Sequence, residues 1–156
     1  MSLDKLNDYL NPRIKNMKEE QTVIMERVYS APVADVWHAI TDREAMKQWY
    51  FDTTGFSPEV GAEFSFSAGK EGHKCVHLCQ VTEIIPGKKI SYSWRYEGEE
   101  GNSLLTWELF EEGVNTRLKL THSGLETFTI HKKEDFIAGW TYFLDTALPK
   151  FLTVKS

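Results

Sequence analysis

No run of about 18 apolar residues occurs in the sequence, which removes an ordinary membrane-spanning helix. The opening stretch, MSLDKLNDYLNPRIKNMKEEQ, also lacks the apolar segment of about 7–15 residues that marks a secretory signal. Basic charge is scarce: 18 Lys and Arg stand against 23 Asp and Glu, for a net charge of −5. Domains that live on phosphate contacts carry a basic stripe, so neither nucleic acid nor membrane insertion is expected. Cysteine is nearly absent. Cys75 and Cys79 fall in one expected strand, roughly 13 Å apart, whereas a disulfide needs Cα atoms within about 7 Å. A reduced, cytoplasmic protein is expected. GxSxG, P-loop, GxGxxG and HExxH patterns are missing too, and no cofactor is expected.

What is present is aromatic. Rings make up 13% of 156 residues, with five Trp, in a chain whose apolar share of 41% is ordinary. A chain this long buries a core without metals or disulfides. The surplus of rings suits either a bulky core or the lining of a hollow one.

Residues 1–20 read as an N-terminal extension and 21–156 as a single domain. In the extension, Leu3, Leu6 and Leu10 keep helical spacing until Asn11-Pro12. Thr22 to Tyr29 predicts a strand with Val23, Met25, Arg27 and Tyr29 on one face. Ser30-Ala31-Pro32 opens a helix striped by Val33, Val36, Trp37 and Ile40. Thr41 or Asp42 caps a second short helix that turns Ala45, Met46, Trp49 and Tyr50 inward. Alternation then predicts strands at 62–67, 74–85, 90–96, 103–111 and 116–122, separated by short turns such as Pro86-Gly87 and Glu112-Gly113. Short turns between successive strands imply an antiparallel meander rather than βαβ units.

The last element predicts a long helix from Lys133 to Leu152. Phe136, Trp140, Phe143, Ala147 and Phe151 line one face, and Ile137, Leu144 and Leu148 widen it. Pro149 should bend or fray its last turn. So broad an apolar face has to be buried against the concave side of the sheet, which gives an α+β domain.

Several segments, in this order, resemble one superfamily. VYSAPVADVWHAITDREAMKQW (28–49), VTEIIPGKKISYSW (81–94), NTRLKLTHSGL (115–125) and the Gly139-Trp140 pair are together similar to the Bet v 1-like (START-like, SRPBCC) proteins. More narrowly they resemble the activator of Hsp90 ATPase homologue 1-like family. The resemblance implies a helix-grip fold: a curved antiparallel sheet around a long C-terminal helix, with two short helices after the first strand. It also implies an apolar ligand in the space between. The family name implies a co-chaperone role toward an Hsp90-type ATPase.

Parity places Trp49, Phe64, Phe66, Tyr92, Trp94, Trp107, His122, Trp140 and Phe143 toward the gap between helix and sheet. As a site they would form an apolar pocket with few polar handles: the Tyr92 hydroxyl, the indole N–H groups and His122. The leading expectation is a non-catalytic domain that binds a small apolar or amphipathic molecule. The alternatives are a co-chaperone-like module and a cyclase- or hydrolase-like enzyme using His122 and Tyr92. His122 can be read as a ligand donor or base, or as a histidine satisfied at a strand end. His73, Cys75, His77 and Cys79 share one strand face, but a straight strand cannot wrap them around one ion, and no metal is expected there. Glu97, Glu99, Glu100, Glu111 and Glu112 read as solvated turn charges, or as a docking rim for a basic partner.

Overall fold

The computed structural model describes residues 21–69 and 74–155. The expected extension over 1–20 and His73 lie outside the described residues.

The chain runs β1 (Val23–Tyr29), α1 (Val33–Thr41), α2 (Arg43–Trp49), β2 (Glu63–Ala68), β3 (Cys75–Ile85), β4 (Lys89–Tyr96), β5 (Ser103–Glu112) and β6 (Asn115–Ser123). A short 3₁₀ turn (Leu125–Thr127) leads to α3 (Lys133–Tyr142), a π-helical turn (Phe143–Ala147) and α4 (Leu148–Lys155). Pro32 stands just before α1 in an extended conformation, where its missing N–H costs nothing. Asp42 ends α1 and caps α2, its carboxylate accepting the Ala45 N–H at 3.0 Å.

All strand pairings are antiparallel, in the order β1-β6-β5-β4-β3-β2. The meander from β2 to β6 is closed on its far side by β1, which sets Val23 opposite His122 and Tyr29 opposite Thr116. The register shifts between Val81 and Glu83 of β3, an irregularity that adds bend to the sheet. Inward positions alternate as expected: Phe64 and Phe66, Tyr92 and Trp94, Leu105 and Trp107, and Leu120 and His122 are all buried. This is the helix-grip fold, with α1 packed between β5, β6 and α4, and α2 packed against α1 and α4.

The C-terminal helix departs from expectation in two respects. Its buried row is Phe136, Trp140, Leu144, Leu148 and Leu152, whereas Phe143, Ala147 and Phe151 are half-buried and Ile137 is 40% exposed. In a regular α-helix a four-residue step overshoots by about 40°, so such a row would wind off the sheet. The π turn is wider and brings it back. Pro149 does not fray the last turn, since α4 runs on to Lys155. Its effect lies upstream. Leu148 donates its N–H to the Phe143 carbonyl, five residues back. In that register the Leu144 carbonyl would accept from residue 149, and proline has no N–H to give. The Tyr29 hydroxyl donates to that carbonyl instead, at 2.8 Å.

Candidate functional site

The nine residues expected at the gap form one connected group, Phe64 and Tyr92 joining the other rings through the Trp107–Tyr92 hydrogen bond. Trp49 meets Trp107 edge-on at 6.2 Å and Phe143 at 6.0 Å. Phe64 packs on Tyr92 at 5.0 Å, and Phe66 on Trp94 at 5.4 Å. Trp94 reaches both His122 and Trp140, and Trp140 touches Phe143. Tyr50, expected to face inward, and Phe51 also belong to the group, although neither was expected among the lining residues. Tyr50 lies among Phe66, Trp107, Trp140 and Phe143, while Phe51 stacks on Phe66 at 4.2 Å. The uninterrupted triplet Trp49-Tyr50-Phe51 at the end of a buried helix was the available signal. Phe51 and Phe143 are only half-buried and form the rim of the group.

The polar handles are engaged with one another or with backbone. Trp49 donates its indole N–H to the Ala39 carbonyl at 2.8 Å. Trp107 donates to the Tyr92 hydroxyl at 3.1 Å, and Tyr92 shares a 2.9 Å hydrogen bond with Tyr50. Trp94 donates to the Tyr96 hydroxyl at 3.0 Å. Burial pushes the Tyr50 and Tyr92 hydroxyls far above the ordinary tyrosine range, so both stay protonated. Among the described residues no buried side-chain nitrogen or oxygen lacks a partner.

The same logic fixes the state of His122, which has no exposed surface. An indole can only donate, so Trp140 Nε1–H at 3.2 Å requires a lone pair on His122 Nδ1. The ring proton therefore sits on Nε2 and is donated to Ser103 Oγ at 2.8 Å. Ser103 donates its own O–H to the Trp94 carbonyl at 2.7 Å. Burial lowers the imidazole to about 3, so it is neutral. Both nitrogens are in use, and Nε2, as a donor, cannot take a proton from the serine oxygen beside it. Ser103 was not foreseen, although it holds an inward position of β5.

Other expectations resolve differently. His77 and Cys79 are buried on the inner face of β3, with His77 Nδ1 at 3.1 Å from the Cys75 carbonyl. Cys75 and Cys79 form no disulfide. Glu99 is not a plain solvated charge: its carboxylate meets His131 Nε2 at 3.1 Å, with both side chains about one-fifth exposed. Glu112 lies at the end of β5 and pairs with Arg117 at 2.7 Å. No described helix is long and apolar enough to cross a membrane.

Comparison with known proteins places this geometry. The family described as "Activator of Hsp90 ATPase homolog 1-like protein" matches residues 30–153. Among solved structures, CalU16 from Micromonospora echinospora is 27% identical, with a TM-score of 0.70 over 84% of this chain and 75% of that one. Protein MLL2253 from Mesorhizobium loti is 26% identical, with a TM-score of 0.73 over 86% of this chain and 98% of that one. Protein CV1439 from Chromobacterium violaceum shares the fold at 23% identity, with a TM-score of 0.73 over 85% of this chain and 97% of that one. No curated protein gives a significant match.

Proposed function

This chain belongs to the activator of Hsp90 ATPase homolog 1-like family, and on that premise we propose that it is a non-catalytic binding domain for a small apolar or amphipathic molecule. The ligand enters between the sheet and the C-terminal helix, and Trp49, Phe64, Phe66, Tyr92, Trp94, Trp107, His122, Trp140 and Phe143 receive it. One observation carries the reading. The helix covering the rings leaves α geometry at Phe143–Ala147, where Phe143 meets Trp49, Tyr50 and Phe51 at the half-buried rim. Single π turns inside α-helices recur at functional sites. Displacing this turn would part the rings without breaking the sheet. The lining offers π faces and few polar atoms, all of them engaged, so an apolar aromatic or acyl group is the matching chemistry.

The non-catalytic reading is supported by His122, whose lone pair and proton are both held inside the protein. A base needs to reach the proton it takes. Native mass spectrometry of gently purified protein tests the reading, and a co-purified lipid-like mass is expected. An apo protein with no thermal shift across a lipid and metabolite panel would remove it. A second reading, a co-chaperone-like module contacting an Hsp90-type ATPase, draws on the family description. Unchanged ATP turnover by such an ATPase at saturating protein would exclude that one.

A further inference from the structure

At the end of the grip that holds Tyr96 and Phe128, three side chains from separate elements converge. Cys75 opens β3, Glu99 lies in the turn between β4 and β5, and His131 stands just before α3. Their ligand-type atoms, one thiol, one carboxylate oxygen and one imidazole nitrogen, all lie within 4.8 Å of one another. The geometry points to a binding site for a single zinc-class divalent cation, with Cys75, Glu99 and His131 as its protein ligands and a fourth position open to water.

The donor set carries the choice of metal. A thiolate selects against magnesium and calcium, which take oxygen ligands, and imidazole with thiolate suits zinc. Zinc bonds of about 2.0–2.3 Å in a tetrahedron set the donors roughly 3.3–3.8 Å apart. No pair is wider than 4.8 Å, so closing requires a shift of at most about 1.5 Å, within the reach of side-chain rotation. The Glu99 carboxylate and His131 already stand at 3.1 Å.

The backbone is held in register for this. The Asn102 N–H donates to Thr127 Oγ1 at 2.9 Å, and Thr127 Oγ1 is also 2.9 Å from the Asn102 carbonyl. That ties the β4–β5 turn to the segment leading toward His131. Gly101 has positive φ, and a Cβ there would stand 2.7 Å from the Thr127 carbonyl, so the two segments approach as closely as glycine allows. The His131 ring is oriented by stacking on Tyr96 at 3.7 Å. Drawing ligands from three elements removes the objection to a row on one straight strand. A cation here would clasp the segment before α3 against the sheet, and by mass action would stabilise the fold.

Co²⁺ titration of the reduced full chain, followed by Zn²⁺ displacement, tests the site. One equivalent should give a thiolate-to-cobalt charge-transfer band and tetrahedral visible bands, both removed by Zn²⁺. Cys75→Ser should abolish the charge-transfer band. Glu99→Gln and His131→Ala should each weaken Zn²⁺ binding at least tenfold, with His38→Ala unchanged as a surface control. Circular dichroism of each variant identifies any that fail to fold, and Glu99→Gln in an exposed turn is the least disruptive. Binding without a thiolate band, a band that survives Cys75→Ser, or equal affinity in Glu99→Gln and wild type would each overturn the assignment.

Discussion

Two histidines in this molecule are both set among aromatic rings, and their partners make them chemically opposite. His122 touches Trp94, Phe136 and Trp140, while His131 touches Tyr96, Phe128 and Phe136. The partners of His122 are neutral: a serine whose O–H donates to a backbone carbonyl, and an indole that can only donate. Those of His131 are a carboxylate and, nearby, a thiol. Full burial without a countercharge makes the first a structural strut. Partial exposure beside a carboxylate and a thiol suits the second to hold a cation. Residue type says little here, and the charge of the neighbours decides.

The largest effect should come from removing the strut. His122→Ala leaves a cavity among Trp94, Phe136 and Trp140 and strands the Trp140 N–H without an acceptor. Core truncation and an orphaned buried donor together should cost about 3–5 kcal/mol, read as a fall in the urea midpoint. A loss below about 1 kcal/mol would mean that His122 is not locked, and the contrast with His131 would collapse.

Acid should expose the same lock. Burial holds His122 neutral until about pH 3 and His77 until about pH 4, whereas both titrate near 6.5 once unfolded. Below about 6.5 the unfolded chain takes up protons that the folded chain refuses, so stability falls as pH falls. The slope approaches about 1.4 kcal/mol per pH unit for each such ring. Urea midpoints between pH 7 and 5, above most of the carboxylate range, should decline, and His122→Gln should flatten the decline by about half. A level wild-type curve would contradict the neutral, buried state.

Another internal hydrogen bond sharpens the rule. Tyr29→Phe removes the donor that supplies the Leu144 carbonyl in place of Pro149. Leaving that carbonyl unpaired should cost about 1–3 kcal/mol. Pro149→Ala restores an N–H at the right place, so it should cost less or even stabilise. The double variant should recover part of the Tyr29→Phe loss, and a double-mutant cycle on urea midpoints reads the coupling. Strict additivity would mean that the hydroxyl and the proline do not share that carbonyl.

The fold was legible because its signal is local. Phe64/Phe66, Tyr92/Trp94 and Leu118/Leu120 alternate cleanly, and strand ends fell within a residue or so of the observed bounds. Nine of the rings were legible for the same reason, since each follows from the parity of its own strand or helix, whereas Tyr50 and Phe51 lie past the end of α2, where that periodicity stops. What periodicity missed depends on other parts of the chain. Leu144, Leu148 and Leu152 outrank Phe143, Ala147 and Phe151 because a π turn shifts the phase of the helix, and no 3.6-residue template contains that turn. Ile137 was assigned inward by the same template and is exposed. Ser103 is small and polar, so nothing in its strand pattern marks it as the anchor for a buried histidine. Cys75, Glu99 and His131 lie far apart in sequence, and only the meander brings them together.

The smallest effect separates the two histidines most cleanly. His131→Ala removes a partly exposed ion pair and one ring stacked on Tyr96. Partly exposed pairs contribute little, and the stacking adds a comparable amount, so metal-free protein should lose about 1 kcal/mol or less. Under excess Zn²⁺ the wild type should gain thermal stability and His131→Ala should not, so the gap between them widens only when metal is present. His122 variants should respond to Zn²⁺ as the wild type does, because the strut lies outside the ligand set. Differential scanning fluorimetry with and without Zn²⁺ reads all three proteins at once. A Zn²⁺ response lost in the His122 variants and kept in His131→Ala would reverse the assignment of roles.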